Sequence, residues 1–439
     1  MKIAVIGTGI SGLAAAWLLS RKHSVTLYEK DARPGGHTNT FVTPGGQPVD
    51  TGFIVFNEAC YPNLTALFRE LDVAVQKTRM SFGVSLNDGA YEWAGSDNFL
   101  TVFAQPSNIF RPTHIRMLLE ILKLNAFCRK LLDHGLLPAG ISLGQFLDRE
   151  GYSQALRSRY LLPMAGMIWS CSPKQAADYP ADDFMRFFDS HGLFTAMQQP
   201  QWYSVKHGSQ TYVKKILAQF KGELRLNAGV EKIRRVDQQV LVSTGKKADL
   251  FDAVVCASHA DQALRMLEDA SDAERQVLRG IPYTSNRAIL HTDVTFLPKR
   301  RAAWASWNYT HARDEIHDQA ISGSYWMNQL QNIPGPVNYV VTLNPTREPA
   351  PDKVLYEVNY EHPHYTAAAR ETHRRLPEIQ GKNRIWWAGA WCGYGFHEDG
   401  LRSAVNVASA LGCAPAWAAS AAASTTPSPM VATAQAVGG

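Results

Sequence analysis

The sequence has few cysteines, no long apolar run and no long run of basic residues. Its six cysteines are widely separated and form no C-x-x-C pair, so neither a zinc site nor a disulfide framework is expected, and a reducing cytoplasm fits best. The longest apolar candidate, Tyr160 to Pro173, falls short of the ~18 to 20 residues of a spanning helix and contains Pro163. A net charge of +5 spread along 439 residues predicts no nucleic-acid partner, and the length predicts two or more structural units.

The opening stretch MKIAVIGTGISGLAAAWLL permits two interpretations. Its apolar run with three consecutive alanines is typical of a secretory signal peptide. A signal peptide does not need what the chain also contains, namely glycines at positions 7, 9 and 12 and a second apolar strand, SVTLYEK, that ends in Glu29. Strand, glycine-rich turn, helix, strand and acid together predict a βαβ unit that binds a dinucleotide.

Each residue of this unit has a predicted task. Gly7 permits the tight turn, Gly9 lets the backbone approach a pyrophosphate, and Gly12 allows close packing of helix on strand. The helix N-terminus offers free N–H groups to the phosphates, and Glu29 can accept hydrogen bonds from a ribose. Further cofactor contacts are expected at two neighbouring positions, Ser11 and Lys30.

A second glycine-containing segment follows and suggests which dinucleotide binds. DARPGGHTNT is followed by GGQPVDTGFIVFN, so that the spacing GG-x-x-x-T is continued by D-x-G. This resembles the extended fingerprint of the FAD-dependent amine oxidase, protoporphyrinogen oxidase and phytoene desaturase superfamily. His37 stands where that superfamily usually has arginine, and a covalent link from this histidine to flavin is a further hypothesis. The resemblance implies cofactor contacts from Gly35, Gly36, His37, Thr40, Gly52 and Phe53, with Asp50 in the same pattern.

Two later segments resemble the same superfamily. Val230, in a predicted strand, falls where a valine touches the adenine. Near the other end, NRIWWAGAWCGYGFHEDGLRSAVNVASALG predicts a strand, Gly389, a loop and a helix starting near Gly400 whose N-terminus points at the flavin. Ala390 departs from the pattern, because an acid commonly follows the glycine there. Asp399, Gly400 and Leu401 would form the helix start.

The resemblance implies an α/β fold in which a discontinuous Rossmann-like FAD-binding domain carries an inserted α+β substrate domain. The predicted FAD-binding parts are residues 1–75, 200–265 and 380–412; the predicted substrate-domain parts are 76–199, which is helix-rich, and 266–379; and 413–439 is predicted to be a disordered tail.

The segments TGFIVFN, HTDVTFLP, WASWNY and YGFHEDGLRSA narrow the resemblance further. They are similar to a bacterial group of FAD-binding oxidoreductases that often accompany cyclopropane-fatty-acid-synthase-like methyltransferases. The resemblance implies a lipid or other small-molecule substrate and a lipid methyltransferase partner. A predicted helix between Thr113 and Leu137 has one narrow charged stripe and is otherwise apolar, so it either packs inside the substrate domain or lies at a lipid surface. The predicted location is therefore the cytoplasm, with peripheral contact at the inner membrane face as a hypothesis.

Flavin chemistry implies hydride transfer between flavin N5 and a substrate carbon, together with a residue that manages a proton. His397 falls three residues before Gly400, where the superfamily places an aromatic cage residue, and it is the first catalytic candidate; a structural histidine is the alternative. Tyr394 is the second candidate, with Phe396 as a wall of the cavity. An amine oxidase and a non-catalytic flavin-binding accessory protein are the competing functions. Packing side chains or weaker substrate-side candidates are Trp386, Trp387, Trp391, His291, Trp304 and Tyr309.

Overall fold

The computed structural model describes residues 1–96, 98–194 and 200–418. Its strands, in chain order, are β1 Lys2–Ile6, β2 Ser24–Tyr28, β3 Thr40–Val42, β4 Pro48–Asp50, β5 Val55–Asn57, β6 Val75–Thr78, β7 Phe82–Leu86, β8 Tyr91–Gly95, β9 Trp202–Val205, β10 Glu223–Arg225, β11 Val230–Val236, β12 Gln239–Thr244, β13 Lys247–Phe251, β14 Ala253–Cys256, β15 Tyr283–His291, β16 Trp307–His311, β17 Gly323–Trp326, β18 Val340–Leu343, β19 Val354–Pro363 and β20 Ile385–Trp387.

The helices alternate with these strands and include one π-helical turn, Arg157–Leu161. The α-helices are α1 Ile10–Leu19, α2 Pro62–Glu70, α3 Pro112–Asp133, α4 Leu143–Arg149, α5 Gln154–Leu156, α6 Leu162–Trp169, α7 Pro173–Ala177, α8 Ala181–Ser190, α9 Gln210–Gln219, α10 Ala260–Met266, α11 Asp272–Arg279, α12 Met327–Leu330, α13 Ala367–Arg375 and α14 His397–Ala410.

One layer is a parallel five-stranded sheet in the order β10-β2-β1-β14-β20. Its central strand β1 pairs with β2 and β14, so Ile3 lies opposite both Val25 and Ala253. The central strands β1 and β14 are apolar and buried almost throughout because both faces of a parallel sheet are covered. All the carboxyl ends lie at one edge, which is where ligands bind in such sheets.

The second layer is a seven-stranded mixed sheet in the order β19-β15-β18-β17-β16-β7-β8. Its strands come from two parts of the chain, β7–β8 and β15–β19, which precede and follow the strands β10 and β14 of the first layer. The chain therefore crosses between the two layers more than once. Smaller sheets are formed by β11-β12-β13, β5-β9-β6 and β3-β4. The predicted α/β fold class is confirmed, whereas the exact domain boundaries stay a prediction.

Element boundaries differ from the sequence-based expectations at two helices. The final helix begins at His397, three residues earlier than the predicted start near Gly400, because the Asp399 carboxylate accepts a 3.0 Å hydrogen bond from the backbone N–H of Phe396, the N-cap residue. The helix predicted over 113–137 ends at Asp133. Of the predicted tail, residues 413–418 are described and Trp417 donates a 2.6 Å hydrogen bond to Glu70, while 419–439 lie outside the described residues.

Candidate cofactor and active site

The first glycine turn lies at the carboxyl edge of the parallel sheet, between β1 and α1. A Cβ on Gly12 would lie 1.8 Å from the carbonyl oxygen of Gly7, so helix and turn are packed too closely for any side chain. A Cβ on Gly9 would meet no heavy atom of the described residues within 4 Å. The N-terminus of α1 has no side-chain cap and no acid in its first turn, so its N–H groups and positive dipole end are free. This open, electropositive turn fits a pyrophosphate.

Glu29 lies buried at the end of β2, directly beside this turn. Its Oε2 accepts a 3.0 Å hydrogen bond from the backbone N–H of Thr8, and its Oε1 accepts one of 3.0 Å from Asp31. The backbone N–H of Ala228 donates to the Glu29 carbonyl at 2.8 Å, which brings Val230 to the same end of the site. The Glu29 carboxylate keeps acceptor capacity for a ribose hydroxyl. Lys30 is exposed next to it.

The second glycine pair closes over the first turn. The backbone N–H of Gly35 donates to the carbonyl and to the hydroxyl of Thr8, both at 3.1 Å. Gly36 has a φ of +55°, and a Cβ there would lie 3.1 Å from Cα of Gly9. The structure thus brings together the two glycine motifs that the sequence separates.

His37 stands beside this pair in an aromatic setting. Its ring stacks on Tyr360 at 4.8 Å and lies 5.1 Å from the ring of His362, and its buried Nε2 has no hydrogen-bond partner among the described residues. Burial lowers the pKa of His37 well below its ordinary value, and the neighbouring His362 lowers it further. A neutral imidazole cannot replace the charge of the arginine usual at this position.

The loop that carries Gly52 and Phe53 packs against the backbone of His37. The backbone N–H of Phe53 donates to the His37 carbonyl at 2.9 Å, and a Cβ on Gly52 would lie 2.1 Å from that oxygen. Close backbone packing therefore accounts for Gly52. Whether these two residues also contact a cofactor stays a prediction.

A hydrogen bond joins the side chains of Thr40 and Asp50. The Thr40 hydroxyl donates to Asp50 Oδ1 at 2.5 Å and accepts from the backbone N–H of Gln210 at 2.9 Å. Asp50 also accepts a 2.9 Å hydrogen bond from Gln331, and burial raises its pKa to about 6. These bonds fasten the glycine-rich loop to α9, and a cofactor contact from Thr40 stays a prediction.

The C-terminal motif meets the first glycine turn in space. A Cβ on Gly400 would lie 2.8 Å from Ser11 Oγ, so the N-termini of α14 and α1 converge. The backbone N–H of Gly389 donates to Ser403 Oγ at 2.9 Å, and Leu401 is fully buried. Asp399 caps its own helix by accepting a 3.0 Å hydrogen bond from Phe396. Two helix N-termini that converge at one edge provide positive dipole ends for the negatively charged centre of a dinucleotide.

His397 occupies the first turn of α14 and is held by side chains from distant segments. Its Nε2 is hydrogen-bonded with Thr38 Oγ1 at 3.1 Å and with the Tyr212 hydroxyl at 3.0 Å, and those two hydroxyls also bond each other. Its ring stacks on Phe53 with centroids 3.9 Å apart. Burial lowers the pKa of His397 to about 3. The imidazole is therefore neutral at physiological pH, which favours hydrogen bonding over service as a strong base.

Two aromatic residues just before His397 belong to a cluster of six aromatic side chains that we call the aromatic wall. Tyr394 lies 5.2 Å from Tyr365, and Phe396 stacks on Phe187 at 5.0 Å. The ring of Tyr365 stacks on that of Tyr179, with centroids 5.1 Å apart. The ring of Trp169 lies next to that of Phe187, with centroids 4.8 Å apart. The members are Trp169, Tyr179, Phe187, Tyr365, Tyr394 and Phe396.

The remaining sequence candidates are bonded locally. His291 bonds Thr342 at 2.8 Å within the seven-stranded sheet, and Tyr309 bonds His317 at 3.2 Å. The indole of Trp304 donates to the Pro298 carbonyl at 2.7 Å. Trp387 is fully buried, and Trp391 packs against Gly389, so these tryptophans fill the core.

Sequence reasoning missed most partners of these groups. Tyr360 and His362 alternate along β19, and that period of two signals a shared face. No local signal marks Tyr212 or Tyr365, since each meets its partner only through tertiary packing. Within the described residues, no group of three or more His, Cys, Asp or Glu side chains could hold a metal ion.

Comparison with known proteins gives the family. The family model for flavin containing amine oxidoreductases matches residues 10–358. This chain belongs to that family. It is accordingly an FAD-dependent oxidoreductase, and the open turn at Gly9 with two converging helix N-termini fits FAD. Comparison with curated proteins gave no significant match.

Solved structures with the family fold include enzymes of different named substrates. The CLA-producing fatty acid isomerase from P. acnes has a TM-score of 0.67 at 15% identity, over 93% of this chain and 98% of that one. A putrescine oxidase bound to putrescine gives 0.65 at 14%, over 94% and 99%. Cyclohexylamine oxidase from Brevibacterium oxydans gives 0.65 at 15%, over 94% and 99%. At these identities the likeness establishes the fold.

Proposed function

We propose that this protein transfers a hydride between flavin N5 and a carbon of an apolar substrate, namely the fatty-acyl chain of a lipid, by desaturation or double-bond reduction. The observation that carries the proposal is the aromatic wall, which leads from the first turn of α14 into the helical part of the substrate layer. FAD, when bound, supplies the hydride acceptor or donor. The residues of this chain must bind the acyl chain, exclude water and orient the reacting carbon.

Two unpartnered donors support an acyl head group as the polar end of the substrate. The indole N–H of Trp169 and the hydroxyl of Tyr179 are buried without hydrogen-bond partners among the described residues, and their rings stack 4.3 Å apart. Burial and the neighbouring Tyr365 raise the pKa of Tyr179 well above its ordinary value, so it remains a donor. An unsatisfied buried donor costs about 1–3 kcal/mol. A carbonyl or carboxylate oxygen of the substrate would satisfy both donors.

His397 and Tyr394 keep their proposed places at the reacting end. Because the pKa of His397 is lowered to about 3, we propose that the imidazole orients the site as a neutral hydrogen-bonding group. Burial raises the pKa of Tyr394, so its hydroxyl stays protonated and its ring serves as wall. Both roles rest on the placement of these residues around the last helix.

Amine oxidation is the second candidate, and one observation favours it. Tyr365 and Tyr394 form an adjacent aromatic pair, with ring centroids 5.2 Å apart and planes inclined at 43°, and tyrosine rings attract ammonium groups by cation–π contact. Two family-fold structures are named for amine substrates, a putrescine oxidase and a cyclohexylamine oxidase.

Anaerobic mixing of the FAD-loaded enzyme with oleate, linoleate or putrescine separates the two functions. Bleaching of the oxidised flavin by a fatty acid, with loss of two hydrogen atoms in the product, supports acyl desaturation; oxidation of reduced enzyme by an unsaturated acid supports reduction. Flavin reduction by putrescine alone would reject the acyl proposal. Bleaching only with a methyltransferase present would indicate an accessory role, and that partnership, like the cytoplasmic location, stays a prediction from the sequence.

Tyr179→Phe tests the acyl anchor. Loss of one hydrogen bond of about 0.5–1.5 kcal/mol predicts a KM for the fatty acid raised about two- to tenfold with kcat nearly unchanged. Tyr152→Phe is the matched control, since the buried Tyr152 hydroxyl also has no hydrogen-bond partner among the described residues, but its ring neighbours Phe146 rather than the aromatic wall. Equal KM values for both variants would remove Tyr179 from substrate binding.

A further inference from the structure

Six large apolar side chains are exposed together at one end of the substrate layer. They come from two 3₁₀ turns, Phe99–Phe103 and Pro106–Phe110, and from the first half of α3. Phe110 is 85% exposed and Phe99 71% exposed, which is unusual for phenylalanine in a folded chain. We call this set the docking surface: Phe99, Leu100, Ile109, Phe110, Leu119 and Leu122.

These side chains form one surface. A shallow groove of about 450 Å³ is lined by Ile109, Phe110 and Leu119, which joins the second turn to α3. Leu122 follows Leu119 by three positions and so lies on the same helical face. Phe103 of the first turn lies beside the ring of His114 in α3, with centroids 5.8 Å apart, which connects the first turn to the helix. Contiguous apolar surface of this kind marks an interaction site.

Basic residues outnumber acidic ones in the sequence segment that carries the docking surface, which is flanked by Asp97 and Asp133. Between Asn98 and Lys130 the sequence contains five Lys or Arg residues and a single acid, Glu120. That acid is turned inward, with its side chain 12% exposed, and bonds Arg116 and the backbone of Ser153. The cations are Arg111, Arg116, Lys123, Arg129 and Lys130.

We propose that this surface docks the protein on an anionic phospholipid bilayer. Protruding phenylalanines and leucines enter the boundary between head groups and acyl chains, while the cations meet the lipid phosphates. Charge complementarity selects this occupant, because a second copy of the chain would bring the same five cations face to face. No helix among the described residues is long and apolar enough to cross a bilayer, so the docking is peripheral.

The docking surface also connects with the aromatic wall. Helix α3 packs against α8, and α8 carries Phe187, which stacks on Phe396 beside His397. The proposal goes beyond the proposed function, since docking would be observed whatever the flavin oxidises.

Vesicle sedimentation of the FAD-loaded full chain tests the proposal. We expect binding to vesicles of mixed phosphatidylglycerol and phosphatidylcholine at low salt, weaker binding to pure phosphatidylcholine, and release at high salt, where charges are screened. Phe99→Ser with Phe110→Ser should weaken binding at least about tenfold, since both rings are exposed and lose only their lipid contacts. Arg129→Glu with Lys130→Glu should weaken binding to the anionic vesicles at least about tenfold as well.

Control variants carry changes of the same kind at positions outside the docking surface. Leu250 and Val337 are 40% and 44% exposed, so Leu250→Ser with Val337→Ser should bind vesicles like the wild type. Lys214→Glu with Lys246→Glu makes the same change in net charge at other exposed positions. Absence of vesicle binding at low salt, or equal losses in the controls, overturns the proposal. It is likewise overturned if light scattering finds a dimer that only Phe99→Ser with Phe110→Ser converts to monomer.

Discussion

Replacement of Gly9 by valine should weaken FAD binding strongly while lowering the stability of the apoprotein only slightly. In the described part of the chain, no heavy atom lies within 4 Å of a Cβ at this position, and Gly9 is the N-cap of α1 with a φ of −61°, so the backbone accepts a side chain. Valine is a poor N-cap, and the expected loss of stability of the apoprotein is about 1 kcal/mol. The valine methyl groups would fill the space into which the pyrophosphate must come.

The effect on FAD affinity should be much larger. Exclusion of the pyrophosphate from the α1 N-terminus removes on the order of two charge-assisted hydrogen bonds, each about 1.5–3 kcal/mol. A combined loss of about 3–6 kcal/mol corresponds to a Kd raised about 10²- to 10⁴-fold. At FAD concentrations of about 100 times the wild-type Kd, the stabilisation by FAD should fall from about 2.7 to about 0.4 kcal/mol or less.

Fluorescence titration of apoprotein with FAD measures the Kd, and urea unfolding with and without FAD measures the linkage. Gly45→Val is the matched control, because a Cβ on Gly45 lies 3.9 Å from its nearest neighbour in the turn between β3 and β4. Gly9→Val protein that folds and binds FAD as tightly as the Gly45→Val protein would refute the placement of the pyrophosphate at this turn.

Two further predictions concern buried titratable groups. His397→Ala should keep bound FAD but slow flavin reduction by substrate at least about tenfold, and stopped-flow rates equal to wild type would remove His397 from the mechanism. Since the pKa of His397 is about 3, the ratio of the two rates should not change between about pH 5 and 8. For Asp50 the folded pKa of about 6 lies above the ordinary value of 3.8, so protonation of Asp50 stabilises the folded state. This stabilisation is complete below about pH 4 and is lost as the pH rises to 6. Unfolding free energies should therefore show the wild type losing about 3 kcal/mol relative to Asp50→Asn across that window, and a pH-independent difference would contradict the assignment.

Much of the FAD layer could be predicted from local sequence because its signals are local. Turn geometry requires glycine at position 7, where φ is +102°, and the alternation of apolar runs with an alanine-rich helix is read directly from the order of residues. The same holds for the strand, Gly389 and final helix near the C-terminus. The helix start was predicted three residues late because the N-cap residue, Phe396, is not one of the serine, threonine, aspartate or asparagine residues that usually mark a helix start.

By itself, then, the sequence determined the βαβ unit and the two glycine-containing motifs, since each depends on backbone freedom and spacing within a short segment. Tertiary structure alone decided that Gly400 lies against Ser11, that Tyr212 and Phe53 enclose His397, and that Tyr365 lies beside Tyr394. The neutral state of His397 follows from that enclosure, because burial lowers its pKa. Contacts between residues hundreds of positions apart depend on how whole layers pack, and no local pattern records them.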